Sequence, residues 1–351
     1  TLRGGGESVQ GDTEAGMNMN KIIISLIIGL CLIGLSSAGL QAQEKGKEIM
    51  KEKVSFKNGI WKMAGDLYLP EDFDKNRKYA AIICVHPGGG VKEQTAGLYA
   101  EKLAGRGFVT LAFDASHQGE SEGEPRRLDS PYERVEDVKC AVDFLTTLSY
   151  IDRKSIGAMG VCAGGGYAIN AALTEKRIRA VAGVSPVDAG LSTRQGWTGG
   201  NTLENQLKLM EQIAEARTAE ANGEAAKLVN YVPETVDENT HPDFVEAHEY
   251  YRTSRGGHPN SDNLCLFRGF ADRLAFNSFA LIPDYLTQPL LVIVGSKAGS
   301  KWMGEKAVEL SMHEKELFVV EGASHVSLYD IPEHMEQAVN KLDVFFTTYL
   351  K

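Results

Sequence analysis

The pentapeptide Gly160-Val161-Cys162-Ala163-Gly164 places a thiol between two glycines. The apolar run "SIGAMGVC" leads into it, and the helix-forming run "YAINAAL" follows shortly after. Glycines two residues before and two after the cysteine remove side chains that would clash in a sharp strand-to-helix turn. A residue at the apex of such a turn is presented outward. The helix N-terminus behind it favours an anion and lowers a thiol pKa. Two readings of Cys162 rest on this stretch: a nucleophile, or a small buried residue at a crowded turn. A Walker-type phosphate loop is excluded, because no Lys follows Gly166.

A nucleophile needs an oxyanion site and a base. His86-Pro87-Gly88-Gly89-Gly90 closes an earlier apolar run. The backbone N–H of Gly88 or Gly89, together with that of Ala163, would hold a developing oxyanion, each donor being worth roughly 3–4 kcal/mol. His325, in "EGASHVSLYD", follows the last apolar strand run and is the expected base. His117, in a loop after another strand, is a second candidate at the same sheet edge. His241, His248 and His258 fall in a long intervening stretch, and His313 and His334 on helical segments.

The elements that must carry these residues can be read from periodicity. Residues 54–58 and 60–69 read as two strands joined at Asn58-Gly59. "YAAIICV", "FVTLAFDA", "SIGAMGVC", "IRAVAGV" and "PLLVIVGS" are continuous apolar runs, as in strands buried on both faces. "KELFVVEG" is a last strand. Helical spacing occupies 98–103, 132–148, the stretch after Lys301 and 335–349. This alternation predicts a mostly parallel sheet with helices on both faces. It breaks over residues 187–287, where Leu203, Leu207, Met210 and Ala214 form a helical stripe. A stretch of that length is too long for a plain connection and reads as an inserted helical cap.

The ordered set "HPGGGVKEQT", "FDASHQGESEG", "YIDRKSIGAMGVCAGGGYAINAA" and "EGASHVSLYD" resembles the alpha/beta hydrolases. Within them it resembles the dienelactone hydrolase-related branch with a Cys nucleophile. The resemblance spans about residues 50–350. Asp114, Gly119, Ser121 and Gly123 are similar to the Asp/Gly/Ser loop after the fourth strand of that fold. It implies an acid just after "LLVIVG", a position that here reads Gly295-Ser296-Lys297-Ala298-Gly299-Ser300, without a carboxylate. Asp188, after the preceding strand, is the first candidate for the acid and Glu305 the second. An acid from elsewhere in the chain and a Cys–His dyad are the remaining possibilities, the dyad because a thiol tolerates a missing acid better than a hydroxyl does. Glu93, beside the glycine loop, is another carboxylate near the expected site.

The chain has 351 residues and a formal net charge of -10, from 37 basic and 47 acidic residues. Basic patches are absent, which argues against nucleic acid as a partner. Residues 22–35 form an apolar run behind Lys21, followed by Ser36, Ser37 and Ala38. This reads as a secretory signal starting at Met17 or Met19, with residues 1–42 forming leader and signal. Cleavage is expected after Ala42, or alternatively after Ala38. An uncleaved anchor is the rival reading, for a run shorter than the roughly 20 residues that span a bilayer. The cysteines beyond it, Cys84, Cys140, Cys162 and Cys265, match no metal or disulfide spacing.

The expectation is therefore an exported, periplasmic or secreted hydrolase of small esters, thioesters or lactones. It would need no cofactor or metal and would keep no stable membrane association after cleavage. Its domain would cover residues 43–351, with the cap at 187–287. An acyltransferase on the same scaffold, or a silent small-molecule binding protein, are the alternatives.

Overall fold

The structure, a computed structural model, describes residues 49–351. The expected leader and signal over residues 1–42 lie outside the described residues. Strand β1 (Met50–Asn58) turns at Gly59, φ +55°, into the antiparallel β2 (Trp61–Leu69). Then follow β3 (Tyr79–Val85), β4 (Val109–Phe113), β5 (Ile151–Val161) and β6 (Ile178–Val184). A short ribbon of β7 (Leu228–Asn230) and β8 (Leu264–Leu266) stands apart. The chain returns to the main sheet with β9 (Leu290–Gly295) and β10 (Lys315–Val320).

The main sheet has the order β1-β2-β4-β3-β5-β6-β9-β10 and is parallel from β4 to β10. Successive side chains of a strand point to opposite faces, and β3 follows this rule. Ala81, Ile83 and Val85 enter one core, while Ala80, Ile82 and Cys84 enter the other. Helices α1 (Thr95–Ala104), α2 (Pro131–Thr147) and α3 (Ala163–Thr174) cover these faces. Pro131 opens α2 at a position where its missing N–H costs no helix bond. The Val138, Ala141, Val142 and Leu145 stripe of α2 is buried.

Between β6 and β9 the chain leaves the sheet. It forms α4 (Ala189–Gln195), α5 (Leu203–Ala221), α6 (Pro242–Arg252), α7 (Phe270–Ala275) and α8 (Ile282–Tyr285) around the β7/β8 ribbon. Helix α5 forms where the periodicity places it, but Leu203, Leu207 and Met210 are exposed. Its buried side is centred on Ile213, which packs with Phe267 and Leu274 in a small satellite core. Helices α9 (Lys301–Leu310), α10 (Ser327–Asp330) and α11 (Pro332–Leu350) complete the fold. Among the described residues no helix is long and apolar enough to cross a membrane.

Candidate active site

Cys162 sits between the end of β5 and the start of α3 with φ 56° and ψ -126°. That conformation is strained for a residue with a side chain, and the surrounding backbone imposes it. Its N–H donates to the Val184 carbonyl at 3.0 Å, and its own carbonyl accepts from the N–H groups of Gly165 at 3.0 Å and Val187 at 2.9 Å. The flanking glycines are steric requirements. A Cβ on Gly160 would lie 2.2 Å from the carbonyl carbon of Gly164, and one on Gly164 would lie 2.3 Å from the Val85 oxygen.

The Ala163 and Gly88 N–H groups and the Tyr329 hydroxyl lie against the sulfur and favour its thiolate form. Burial nevertheless pushes the thiol pKa up; the donors and the positive charge of Arg273 oppose that shift without overcoming it. The sequence had suggested a depressed pKa from the helix N-terminus. Desolvation under the inserted segment reverses the sign. Gly89, the other expected donor, has φ +70° and lies under the ring of Tyr231, its carbonyl accepting from Ser261. His86 holds this loop. Its Nε2 accepts from the Ala115 N–H at 3.1 Å, so Nδ1 carries the proton and donates to the Pro87 carbonyl at 2.6 Å.

His325 lies in the loop after β10 and is buried. Its Nδ1 is 2.6 Å from the Ser300 hydroxyl and its Nε2 is 3.1 Å from the Tyr329 hydroxyl. With the proton on Nδ1, Ser300 accepts and Nε2 is free to receive a proton. Burial lowers the imidazole pKa to about 4, against the opposing charge of Asp243. The edge of the Trp197 ring packs against it at 4.7 Å between centroids. Cys162, His325, Tyr329, Gly88 and Ala163 line one cavity of about 340 Å³ beneath the inserted helices.

Neither expected acid reaches the imidazole by a hydrogen bond. Asp188 is fully buried as the N-cap of α4. Its Oδ1 accepts from Gly190 at 2.8 Å and Leu191 at 3.0 Å, and its Oδ2 accepts from Ser278 at 2.8 Å. The free N–H groups of the helix start capture this carboxylate, a signal present in the sequence Asp188-Ala189-Gly190-Leu191. Glu305 is half exposed on α9 and pairs with Lys301 at 3.1 Å. The carboxylate near His325 is Asp243, from the first turn of α6. Its Oδ2 accepts from the Trp197 indole at 2.7 Å and the Gly299 N–H at 2.8 Å, and its Oδ1 accepts from the His325 N–H at 3.4 Å. Asp243 therefore ties the inserted segment to both loops that carry the imidazole and its Ser300 partner.

Two other candidates serve the architecture. His117 pairs with Glu133 and contacts the Pro125 carbonyl. Glu93 pairs with Lys92 at 2.6 Å, and the same buried ammonium meets Asp114 at 2.9 Å and Glu120 at 2.5 Å. The Glu93, Asp114 and Glu120 carboxylates thus converge on a cation that the chain itself supplies. Asp114 also accepts from the backbone N–H of Lys92 at 2.8 Å, which fixes the end of the glycine loop. Tyr329, Ser300, Asp243 and Arg273 carried no motif. Of these, Tyr329 was the most accessible signal, one helical turn beyond His325 in "SHVSLYD".

A parallel sheet with this strand order, a positive-φ residue after the fifth strand and a histidine after the last define an alpha/beta hydrolase. The alpha/beta hydrolase family model matches residues 82–342, and the chain belongs to that family. It is 41% identical over 302 residues to the uncharacterized protein YcjY of Escherichia coli (strain K12), covering 85% of this chain and 99% of that one. The crystal structure of the hypothetical protein PA2218 from Pseudomonas aeruginosa is similar with TM-score 0.80 and 34% identity. It covers 86% of this chain and 94% of that chain. Thiohydrolase aneE of Aspergillus aculeatus is 37% identical over 126 residues, 36% of this chain and 38% of that protein.

Proposed function

We propose that the chain hydrolyses small esters, thioesters or lactones through an acyl-enzyme on Cys162. The observation that carries this reading is the strained Cys162 itself, held by two backbone N–H groups in one cavity with an unprotonated imidazole. The thiol proton passes to the Tyr329 oxygen as the Tyr329 proton passes to Nε2 of His325. Sγ adds to the carbonyl carbon, and the carbonyl oxygen takes the N–H groups of Ala163 and Gly88. The imidazolium, favoured by Asp243, returns its proton to the leaving oxygen or sulfur. His325 then takes a proton from water, which attacks the acyl carbon, and the thiol is re-formed. The similarity to a thiohydrolase favours thioesters among these substrates.

The test is a panel of 4-nitrophenyl esters, acyl thioesters and lactones with wild type, Cys162→Ala and His325→Ala. Turnover is expected to require both residues. Full turnover by Cys162→Ala would refute the assignment. Acyl transfer is the second reading, favoured by an apolar cavity that limits water around the acyl-enzyme. An added alcohol or amine acceptor would then yield a transfer product in place of free acid. The physiological partner is accordingly a small acyl compound, with no cofactor or nucleic acid. We further propose export directed by residues 1–42, testable by fractionation and N-terminal sequencing of the cellular protein.

A further inference from the structure

The cavity that holds Cys162 also contains a guanidinium short of acceptors. Arg273, on α7, lines this cavity and its side chain is 14% exposed. Its Nε has no hydrogen-bond partner. The nearby carboxylate, Asp129, stands 3.9 Å from Nη1, beyond hydrogen-bond range. Asp129 is shared, since Arg134 lies 3.5 Å from its other oxygen. Two guanidinium groups thus face one carboxylate; the other carboxylate of the cavity, Asp243, is held by the Trp197 indole and the Gly299 N–H. Arg134 is otherwise engaged, donating to the His86 carbonyl at 2.7 Å and stacking on Tyr167 at 4.8 Å. Arg273 instead has aromatic rings beside it, Phe270 at 4.7 Å and Tyr231 at 6.0 Å between guanidinium and centroid, whose faces accept no strong hydrogen bond. A buried cation with an unfilled donor is costly unless an anion completes it.

The remaining wall is largely apolar, including Val187, Leu209, Val232 and Phe244. A matching ligand has an apolar body and one anionic end. A planar guanidinium fits a carboxylate in particular. We propose that the cavity selects acyl substrates bearing a free carboxylate, which Arg273 anchors while their carbonyl meets Cys162. This rests on the reading of Cys162 as the acyl acceptor. Arg273 also acts electrostatically on the thiol, so the test must separate anchoring from activation.

The experiment has two arms. The first compares mono-4-nitrophenyl glutarate, adipate and suberate with their methyl-capped counterparts, in wild type, Arg273→Lys and Arg273→Gln, with folding checked by near-UV circular dichroism. Wild type should prefer the best carboxylate ester by about tenfold or more in kcat/KM, as for a hydrogen-bonded ion pair. The preference should vanish in Arg273→Gln and survive in part in Arg273→Lys. Equal turnover of both ester series by wild type, or an equal loss on both in Arg273→Gln, would overturn the anchor. The second arm measures binding of adipate and suberate to Cys162→Ala by calorimetry, with and without Arg273→Gln. Arg273-dependent binding supports the anion site even if no ester is turned over, in which case the acyl-acceptor reading alone fails. Absence of saturable binding overturns the anion site.

Discussion

The Tyr329 hydroxyl lies 3.1 Å from Nε2 of His325 and acts electrostatically on the thiol of Cys162 in the same cavity. Burial pushes the phenol well above its ordinary pKa, so it remains a neutral donor at working pH. It can therefore pass a proton without holding one. Tyr329→Phe removes the hydroxyl and leaves the ring against Tyr250, 5.3 Å away between centroids. Ester turnover is expected to fall about a hundredfold, at the low end of general acid–base contributions, with thermal stability nearly unchanged. A wild-type proton inventory should curve, reflecting two protons in flight, and become linear in the variant. An unchanged turnover number would show that the thiol passes its proton without this hydroxyl.

Cys162 and His325 rest as a neutral pair, because burial raises the thiol and lowers the imidazole. The signs can be followed with pH. An unfolded chain protonates this histidine near ~6.5, whereas the folded site does so only near about 4. Stability contributed by the neutral imidazole is thus complete above the unfolded value and is lost as pH falls toward the folded one. The acid limb of kcat/KM should accordingly lie near the folded value. Alkylation of Cys162 by iodoacetamide should rise with pH, with a midpoint above the ~8.5 of a free thiol. A plateau of high reactivity at neutral pH would instead indicate a resting thiolate–imidazolium pair.

The glycines that flank Cys162 allow a sharper steric test. A Cβ on Gly164 would meet the Val85 oxygen at 2.3 Å, and that oxygen is backbone in a central strand. It cannot rotate away. Gly164→Ala is expected to lower the unfolding midpoint or yield insoluble protein, and any folded fraction should lose ester turnover. Wild-type stability and activity in this variant would mean that the turn at Cys162 has room the geometry denies.

Those glycines, the sheet and the position of His325 were legible because local physics fixes them. Gly160 and Gly164 are forced by contact within one turn, and strands such as β3 are buried on both faces and so continuously apolar. His325 could be placed by counting strands. The group behind it could not. The loop after β9 lacks a carboxylate, as its sequence says, and offers the Ser300 hydroxyl instead. Its acidic neighbour, Asp243, comes from the inserted segment, where no periodic pattern ties residue order to position. Arg273 was hidden for the same reason. Asp188 looked available because sequence order brings it near the sheet edge. The helix it starts had a prior claim on Oδ1, and the Ser278 N–H holds Oδ2.

Asp188 and Asp243 can therefore be separated by experiment. Asp188→Ala removes the acceptor of three backbone N–H groups from a fully buried site. It should cost about 2 kcal/mol or more in urea unfolding, from a lost cap and unpaired donors. Asp243→Asn keeps an oxygen for both Trp197 and Gly299 but removes the charge that favours the imidazolium. His325 then becomes a weaker base. kcat/KM should drop roughly tenfold to a hundredfold, since the stabilising charge is near the imidazole but not bonded to its ring. The acid limb should move lower still. The pattern to look for is a stability loss concentrated in Asp188→Ala and a shifted pH profile confined to Asp243→Asn. A shifted pH profile in Asp188→Ala, with none in Asp243→Asn, would return the acid to the position that chain order first suggested.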